Sequence, residues 1–137
     1  MGFSSKTMTA DQALNLWRVA TVEGVRRDTP DLSSRQMAVL LTVYQTAPPH
    51  TVRGLARTLE ISKPAITRAL DRLSKYGLLT REVDTTDRRS VLVQRTPDGQ
   101  AFLNAHAALV IEAAEVAHTP DTESTSVPNL DLDMVIA

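Results

Sequence analysis

Apolar residues recur at helical spacing along most of the chain, and two capping boxes mark where the first stripes begin. In a capping box, a hydroxyl residue and a glutamine three places later satisfy amides that a helix leaves unpaired at its start. The two boxes predict helices over residues 10–27 and 34–46. They consist of Thr9 with Gln12 and of Ser33 with Gln36. Pro48 and Pro49 end the second helix, because proline lacks the amide that a helix needs.

The middle of the chain alternates between short helical stripes and β-rich segments. Ser62 is a helix cap, Pro64 suits a first helical turn, and Gly77 suits the left-handed position that follows a helix. The predicted elements are helices over residues 52–59, 62–76 and 98–117 and strands over 78–83 and 90–95. These elements predict a mainly α fold with a small β-hairpin wing, in the α+β class.

Charge is unevenly distributed although the net charge is only −1. Residues 1–50 carry five basic and four acidic groups, residues 51–96 carry ten and five, and residues 97–137 carry none and seven. The segment charges are therefore +1, +5 and −7. A basic middle is expected where one face of a protein meets a polyanion, and a solvated surface with chance clustering is the alternative.

Composition excludes several classes of function. The chain has no cysteine, which excludes disulfides, thiolate metal sites and thiol redox chemistry. The three histidines are far apart, and neither a nucleophile elbow nor a glycine-rich phosphate loop is present, so we expect no enzyme, no cofactor and no metal. No apolar stretch approaches a membrane span and no secretion signal begins the chain, which predicts a cytoplasmic protein.

Two helices joined by a tight turn form the central unit of the sequence, at residues 52–59 and 62–76. Such a pair can place its second helix in the major groove of DNA. The planar guanidinium of Arg68 suits a bidentate contact to guanine, whereas a helix whose charged face only meets water is the alternative. The candidate DNA-binding residues of this helix are Ser62, Lys63, Pro64, Thr67, Arg68 and Arg72.

The predicted hairpin ends in a charged tip that carries Arg88 and Arg89. Arginine in this place can enter the minor groove, where it senses groove width and negative potential. A tip that is charged only for solubility is the alternative.

At residues 33–116 the chain resembles the MarR family of winged helix-turn-helix transcriptional regulators. The resemblance rests on the stretches Ser62-Lys63-Pro64-Ala65-Ile66-Thr67-Arg68, Leu70-Asp71-Arg72-Leu73, Gly77-Leu78-Leu79 and Asp87-Arg88-Arg89-Ser90-Val91-Leu92. It implies that Arg89, two places after Asp87, enters the minor groove and is steadied by Asp71.

The same resemblance implies a homodimer formed by the first and last helices and a small aromatic or acidic effector that releases DNA. Trp17, Tyr44 and His106 are the candidate effector pocket, and a plain core role is the alternative. Two features depart from the family. A further long helix is disfavoured by Pro120 and Pro128, and Arg95 stands where an apolar residue is usual, as either a phosphate contact or a solvent-facing replacement.

We therefore expect a sequence-specific regulator, a repressor, that binds a pseudo-palindromic operator in double-stranded DNA. The expected organisation is an N-terminal dimerisation helix in 1–32, the DNA-binding domain in 33–96, a dimerisation helix in 97–117 and an acidic tail in 118–137. A winged helix that binds protein partners, with the acidic tail as its contact surface, is the alternative function.

Overall fold

The computed structural model describes residues 8–117, which form five helices and three strands. The elements are α1 Ala10–Arg26, α2 Ser34–Gln45, β1 His50–Thr51, α3 Val52–Leu59, α4 Lys63–Lys75, β2 Leu79–Val83, β3 Val91–Arg95 and α5 Pro97–Ala117. The predicted fold class is confirmed. The predicted acidic tail, residues 118–137, lies outside the described residues.

Hydroxyl side chains begin the first four helices. Thr9 and Ser33 form the predicted capping boxes, and each accepts a hydrogen bond from the third helical amide at 3.1 Å. Thr51 caps α3 in the same way, with the amide of Gly54 donating at 2.9 Å. These helix starts are therefore encoded locally, which explains why sequence alone places them.

The described residues fall into two compact units. One consists of residues 8–29 and 106–117, and the other consists of residues 30–105. In the first unit, Ala20 of α1 packs with Leu109 and Ala113 of α5. The domain boundaries expected from sequence stay a prediction.

The second unit has its own core, centred on α2 and α4. Residues without exposed surface come from α2, from α4 and from the strand that follows α4. They are Val39, Leu40, Val43, Ile66, Leu70, Leu73 and Leu79. Each large side chain of this kind contributes about 1.5–3 kcal/mol to folding by its removal from water. Since α4 buries its whole apolar stripe, its opposite face is fixed towards the outside.

The three strands form one antiparallel sheet in the order β1-β3-β2. In the hairpin of β2 and β3, here called the wing, Arg81 pairs with Val93. On the other edge of β3, His50 also pairs with Val93. The strand β1 was not predicted, because two residues are too few to show an alternating pattern. It joins the start of α3 to the middle of β3.

Candidate nucleic-acid interface

The turn between α3 and α4 is short and sharply defined. Glu60 has a φ of 54°, in the left-handed region that residues other than glycine seldom adopt. The amide of Ile61 donates to the carbonyl of Ala56 at 3.1 Å, which closes the end of α3. Ser62 then caps α4, so the two helices are joined by only three residues.

Both ends of α4 are fixed by hydrogen bonds. At its start, the hydroxyl of Ser62 accepts from the amide of Ala65 at 3.3 Å. At its end, Gly77 adopts a φ of 77°, and the amide of Leu78 donates to the carbonyl of Leu73 at 3.0 Å. This left-handed termination satisfies carbonyls that the helix leaves open and directs the chain into β2.

The two faces of α4 differ in character. Its buried face consists of Ala65, Ile66, Ala69, Leu70 and Leu73. Every predicted DNA-binding residue of this segment is exposed, namely Ser62, Lys63, Pro64, Thr67, Arg68 and Arg72. The structure therefore brings these residues onto one accessible helix, although exposure alone assigns no role to them.

The tip of the wing is held by its own turn. The amide of Asp84 donates to the carbonyl of Ser90 at 3.0 Å, and the amide of Ser90 donates to the carbonyl of Asp87 at 2.9 Å. Asp87 also accepts from the amide of Arg89 at 3.1 Å. Arg88 is exposed, and 88% of the Arg89 side chain is accessible. The tip thus presents two guanidinium groups to the outside.

Asp84 organises the start of this turn. Its carboxylate accepts from the hydroxyl of Thr86 at 2.7 Å and from the amide of Thr86 at 2.9 Å. These hydrogen bonds, the hydroxyl first, lower the pKa of Asp84 below its usual value because they favour the charged carboxylate. The turn is therefore formed most fully above that pKa.

Asp71 has a different partner from the one that the family resemblance implied. A nitrogen of the Arg81 guanidinium lies 2.7 Å from its carboxylate, whereas Arg89 lies beside Asp87 with 3.6 Å between nitrogen and oxygen. In this structure Asp71 therefore pairs with Arg81, and its pairing with Arg89 stays a prediction. Arg81 is in β2, close after the end of α4, while Arg89 stands at the far end of the hairpin. Asp71 thus ties α4 to the wing through β2.

The three residues predicted to line an effector pocket are divided between the two units. Tyr44 is buried in the second unit, where its hydroxyl donates to the carbonyl of Leu78 at 2.6 Å and accepts from the amide of Thr96 at 2.9 Å. Trp17, which is 66% exposed, and His106 belong to the first unit. The pocket stays a prediction, and Tyr44 has a structural role of its own.

Arg95 is exposed, as a solvent-facing replacement requires, and the phosphate contact stays a prediction. Its guanidinium donates to the carbonyls of Val43 and Thr46, each at 2.9 Å, and lies 5.7 Å from the ring centre of Tyr44. It therefore caps the carboxyl end of α2, where a positive charge is also favoured by the helix dipole.

Four arginines on the second unit were not singled out from the sequence. Arg53 and Arg57 are exposed one helical turn apart on α3, and their spacing of four residues was the available signal. Arg81 pairs with Asp71, and Arg35 lies at the start of α2. No local signal distinguished the last two, because their surroundings come from distant parts of the chain.

Residues 8–117 contain no group of three or more His, Cys, Asp or Glu side chains that could hold a metal ion. Among the helices of these residues, none is both long and apolar enough to cross a membrane.

Comparison with known proteins gives matches over the second unit and over most of the chain. Residues 32–91 match the model of the MarR family. The structure is similar to that of the transcriptional repressor CouR bound to a 23-mer DNA duplex, with 26% identity, a TM-score of 0.60, and coverage of 92% of this chain and 82% of CouR. A MarR family regulator from Rhodococcus sp. RHA1 is 27% identical, with a TM-score of 0.57 and coverage of 90% and 82%. A mutant of MepR from S. aureus bound to an oligodeoxyribonucleotide shares the fold at 19% identity, with a TM-score of 0.66 and coverage of 98% and 97%.

Proposed function

Residues 32–91 of this chain are a MarR family domain, and on that premise we propose that the protein is a transcriptional regulator that binds double-stranded DNA in a sequence-specific manner. The observation that carries the proposal is the structure of α4. The residues of its apolar stripe are all buried, whereas Lys63, Thr67, Arg68 and Arg72 are exposed. A helix of about 10–12 Å diameter fits the major groove, which is about 12 Å wide.

The outward residues of α4 divide into two kinds of contact. Ser62 and Lys63 stand at the amino end, where backbone amides and the helix dipole favour a phosphate. Arg68, one helical turn further on, has the planar pair of donors that matches guanine. We assign base reading to Arg68 and the neighbouring Thr67, and positioning on the backbone to the residues before them.

The wing provides a second contact beside the first. Arg88 and Arg89 project from its tip, and the minor groove next to the occupied major groove is the site that such arginines suit. Contacts of this kind depend on groove shape and negative potential more than on base identity. Asp71 and Asp87 support the wing, the former through Arg81 and the latter through its own turn.

The active form that we propose is a cytoplasmic homodimer on a pseudo-palindromic operator. A two-fold dimer places its two reading helices about 34–36 Å apart, or a multiple of that distance, which sets the spacing of the half-sites. Repression, with release by a small aromatic or acidic effector, is the mode of regulation that we propose, since CouR is a repressor. We propose no catalytic activity.

Selection of bound duplexes from a random DNA library tests this function directly. An enriched inverted repeat, with an affinity that falls steeply as salt rises, is the expected result, because binding of phosphates releases counterions. If no duplex is enriched and binding is feeble at low salt, the winged helix serves protein partners instead.

Substitution of the two reading arginines is expected to have distinct effects on the selected duplex. Arg68→Ala should weaken binding by about 1–3 kcal/mol and relax the preference at one base pair in each half-site. Arg89→Ala should weaken binding to most sequences and reduce the salt dependence, with the base preference unchanged. Fluorescence anisotropy against a panel of single-base variants measures both.

The control for these substitutions is Arg27→Ala, at an exposed position in the first unit. It should bind like the wild type. Equal affinities for the wild type, Arg68→Ala and Arg89→Ala would remove both residues from the interface.

A further inference from the structure

A shallow groove runs between the start of α2 and the helix α4. On the side of α4 it is lined by Ala65, Arg68 and Ala69, together with Ile61 just before that helix. The opposite wall is the segment Ser33–Gln36 of α2, which includes Arg35. All of these residues belong to the second unit.

The groove carries two positive charges without a negative one. No carboxylate is among its lining residues, and neither Arg35 nor Arg68 forms an ion pair within residues 8–117. Both arginines are exposed, so their charges are available to a ligand. The two guanidinium groups are the charged donors of this groove. An anion is the ligand that this surface fits.

Geometry decides which anion of a bound duplex reaches Arg35. Packed helices have axes about 8–10 Å apart, and the major groove is about 12 Å wide, or about 6 Å from its centre to its edge. When α4 occupies the groove, a residue of the neighbouring helix α2 lies beyond the edge. The sugar-phosphate backbone, rather than a base, is present at that distance.

From these observations we infer that Arg35 binds a backbone phosphate of the operator, at the edge of the major groove that α4 occupies. The inference rests on the proposed DNA binding and adds a contact from outside the helix-turn-helix pair. Arg68 lines the same protein groove from the side of α4, and its positive charge strengthens the attraction for that phosphate. Arg35 fixes the position of α4 along the major groove of the DNA and does not distinguish one base from another.

Arg35→Gln tests the assignment, since it removes the charge and keeps a long polar side chain. One phosphate contact contributes about 0.9 to the slope of log affinity against log salt. Because the proposed homodimer makes this contact in both half-sites, the slope should fall by about 1.8, and the ratio of wild-type to variant affinity should be about 12 times larger at 50 mM than at 200 mM salt. The preferred duplex sequence should be the same for both proteins.

The phosphate itself is identified with duplexes that each carry one neutral methylphosphonate. Neutralising the phosphate that Arg35 binds should weaken the wild type and leave Arg35→Gln unaffected, whereas neutralising any other phosphate should weaken the two proteins alike. Arg27→Gln is the matched control and should retain the sensitivity of the wild type at every position.

Two outcomes separate this inference from the proposed function. If the wild type selects an operator and Arg35→Gln has the same salt slope and the same methylphosphonate profile, Arg35 does not bind a phosphate and the inference is overturned. If the wild type selects no duplex, both the inference and the proposed function fail.

Discussion

Gly99 stands where another residue would collide with the centre of a hydrogen-bond network. A Cβ atom at this position would overlap the hydroxyl of Tyr44 and the carbonyl of Leu78. These two groups are hydrogen-bonded to each other, and the amide of Gly99 donates to the hydroxyl of Thr96 at 2.9 Å. The close approach of backbone to backbone thus requires glycine here, although its φ is ordinary.

Gly99→Ala is therefore expected to destabilise the second unit. The added methyl group must displace Tyr44 or the chain at Leu78, and overpacking of this kind costs about 1–3 kcal/mol. Urea unfolding followed by circular dichroism measures the loss.

Gly24→Ala is the matched control for this prediction. Nothing lies within 4 Å of the corresponding Cβ position, and alanine favours the helix by up to about 1 kcal/mol. This variant should be as stable as the wild type or more so. If Gly99→Ala and Gly24→Ala changed the free energy of unfolding equally, the close packing at Gly99 would not contribute to stability.

The sequence did not predict which distant groups individual side chains bond to. Tyr44 bonds to residues 34 and 52 positions away, and Arg95 bonds to a carbonyl 52 positions away. Periodicity shows which face of a helix is apolar, but it holds no information on which distant group meets a given hydroxyl or guanidinium. For the same reason the sequence did not indicate the ion pair between Asp71 and Arg81.

At the level of elements, the carboxyl end of α2 is capped by the side chain of Arg95 from β3. The guanidinium of Arg95 bonds to the carbonyls of Val43 and Thr46, so one residue of β3 closes the helix and joins it to the strand. Such a bond to a charged donor exceeds an ordinary hydrogen bond in strength.

Arg95→Gln should loosen this end of α2. The carbonyls can turn to water, so we expect a loss of about 1 kcal/mol in the free energy of unfolding. The amide of Thr46, which donates to the carbonyl of Thr42 at 3.2 Å, should exchange its hydrogen faster. Hydrogen exchange followed by NMR measures this amide.

Arg95→Lys distinguishes the effect of the positive charge from that of the planar pair of guanidinium donors. Its single ammonium keeps the favourable interaction with the helix dipole but lacks the planar pair of donors, so an intermediate loss is expected. Exchange at Thr46 that is the same in all three proteins would contradict the capping role.

The elements themselves were largely predictable because their ends are set by local chemistry. Thr9, Ser33, Thr51 and Ser62 cap helices within three residues, and Gly77 ends α4 with bonds to nearby carbonyls. The strand β1 shows the limit. It consists of two residues that pair with partners 43 and 41 positions away in β3, so no local pattern predicts it.

At the scale of the whole molecule, exposed apolar side chains are concentrated in the first unit. The large ones in this unit are Leu14, Trp17, Val25, Ile111 and Val116, whereas the second unit exposes only Tyr76 and Val83 among the described residues. An apolar surface of this kind on α1 and α5 marks a protein interface, and the proposed homodimer would cover it.

Leu14→Glu combined with Trp17→Glu should therefore convert the protein to a monomer. Each substitution would bury a charge in the proposed interface without disturbing the core of either unit, because both side chains are more than 60% exposed. Light scattering coupled to size-exclusion chromatography gives the mass. Affinity for the palindromic duplex should fall by about 100-fold or more as the second half-site ceases to contribute.

Tyr76→Glu, at a partly exposed position of the second unit, is the control for the apolar-to-acidic change. It should leave the mass of a dimer unchanged. A dimer that survives the double substitution on α1 would place the interface elsewhere.

The fixed ends of α4 also determine where conformational entropy is lost on binding. Because Ser62, Gly77 and the buried stripe already hold this helix in one orientation, its backbone has little freedom left to lose to the duplex. By contrast, the long side chains at the tip of the wing lose conformational freedom when a ligand immobilises them, and each one costs about 0.5–1.5 kcal/mol. The molecule thus joins a preorganised reading helix to an adaptable second contact.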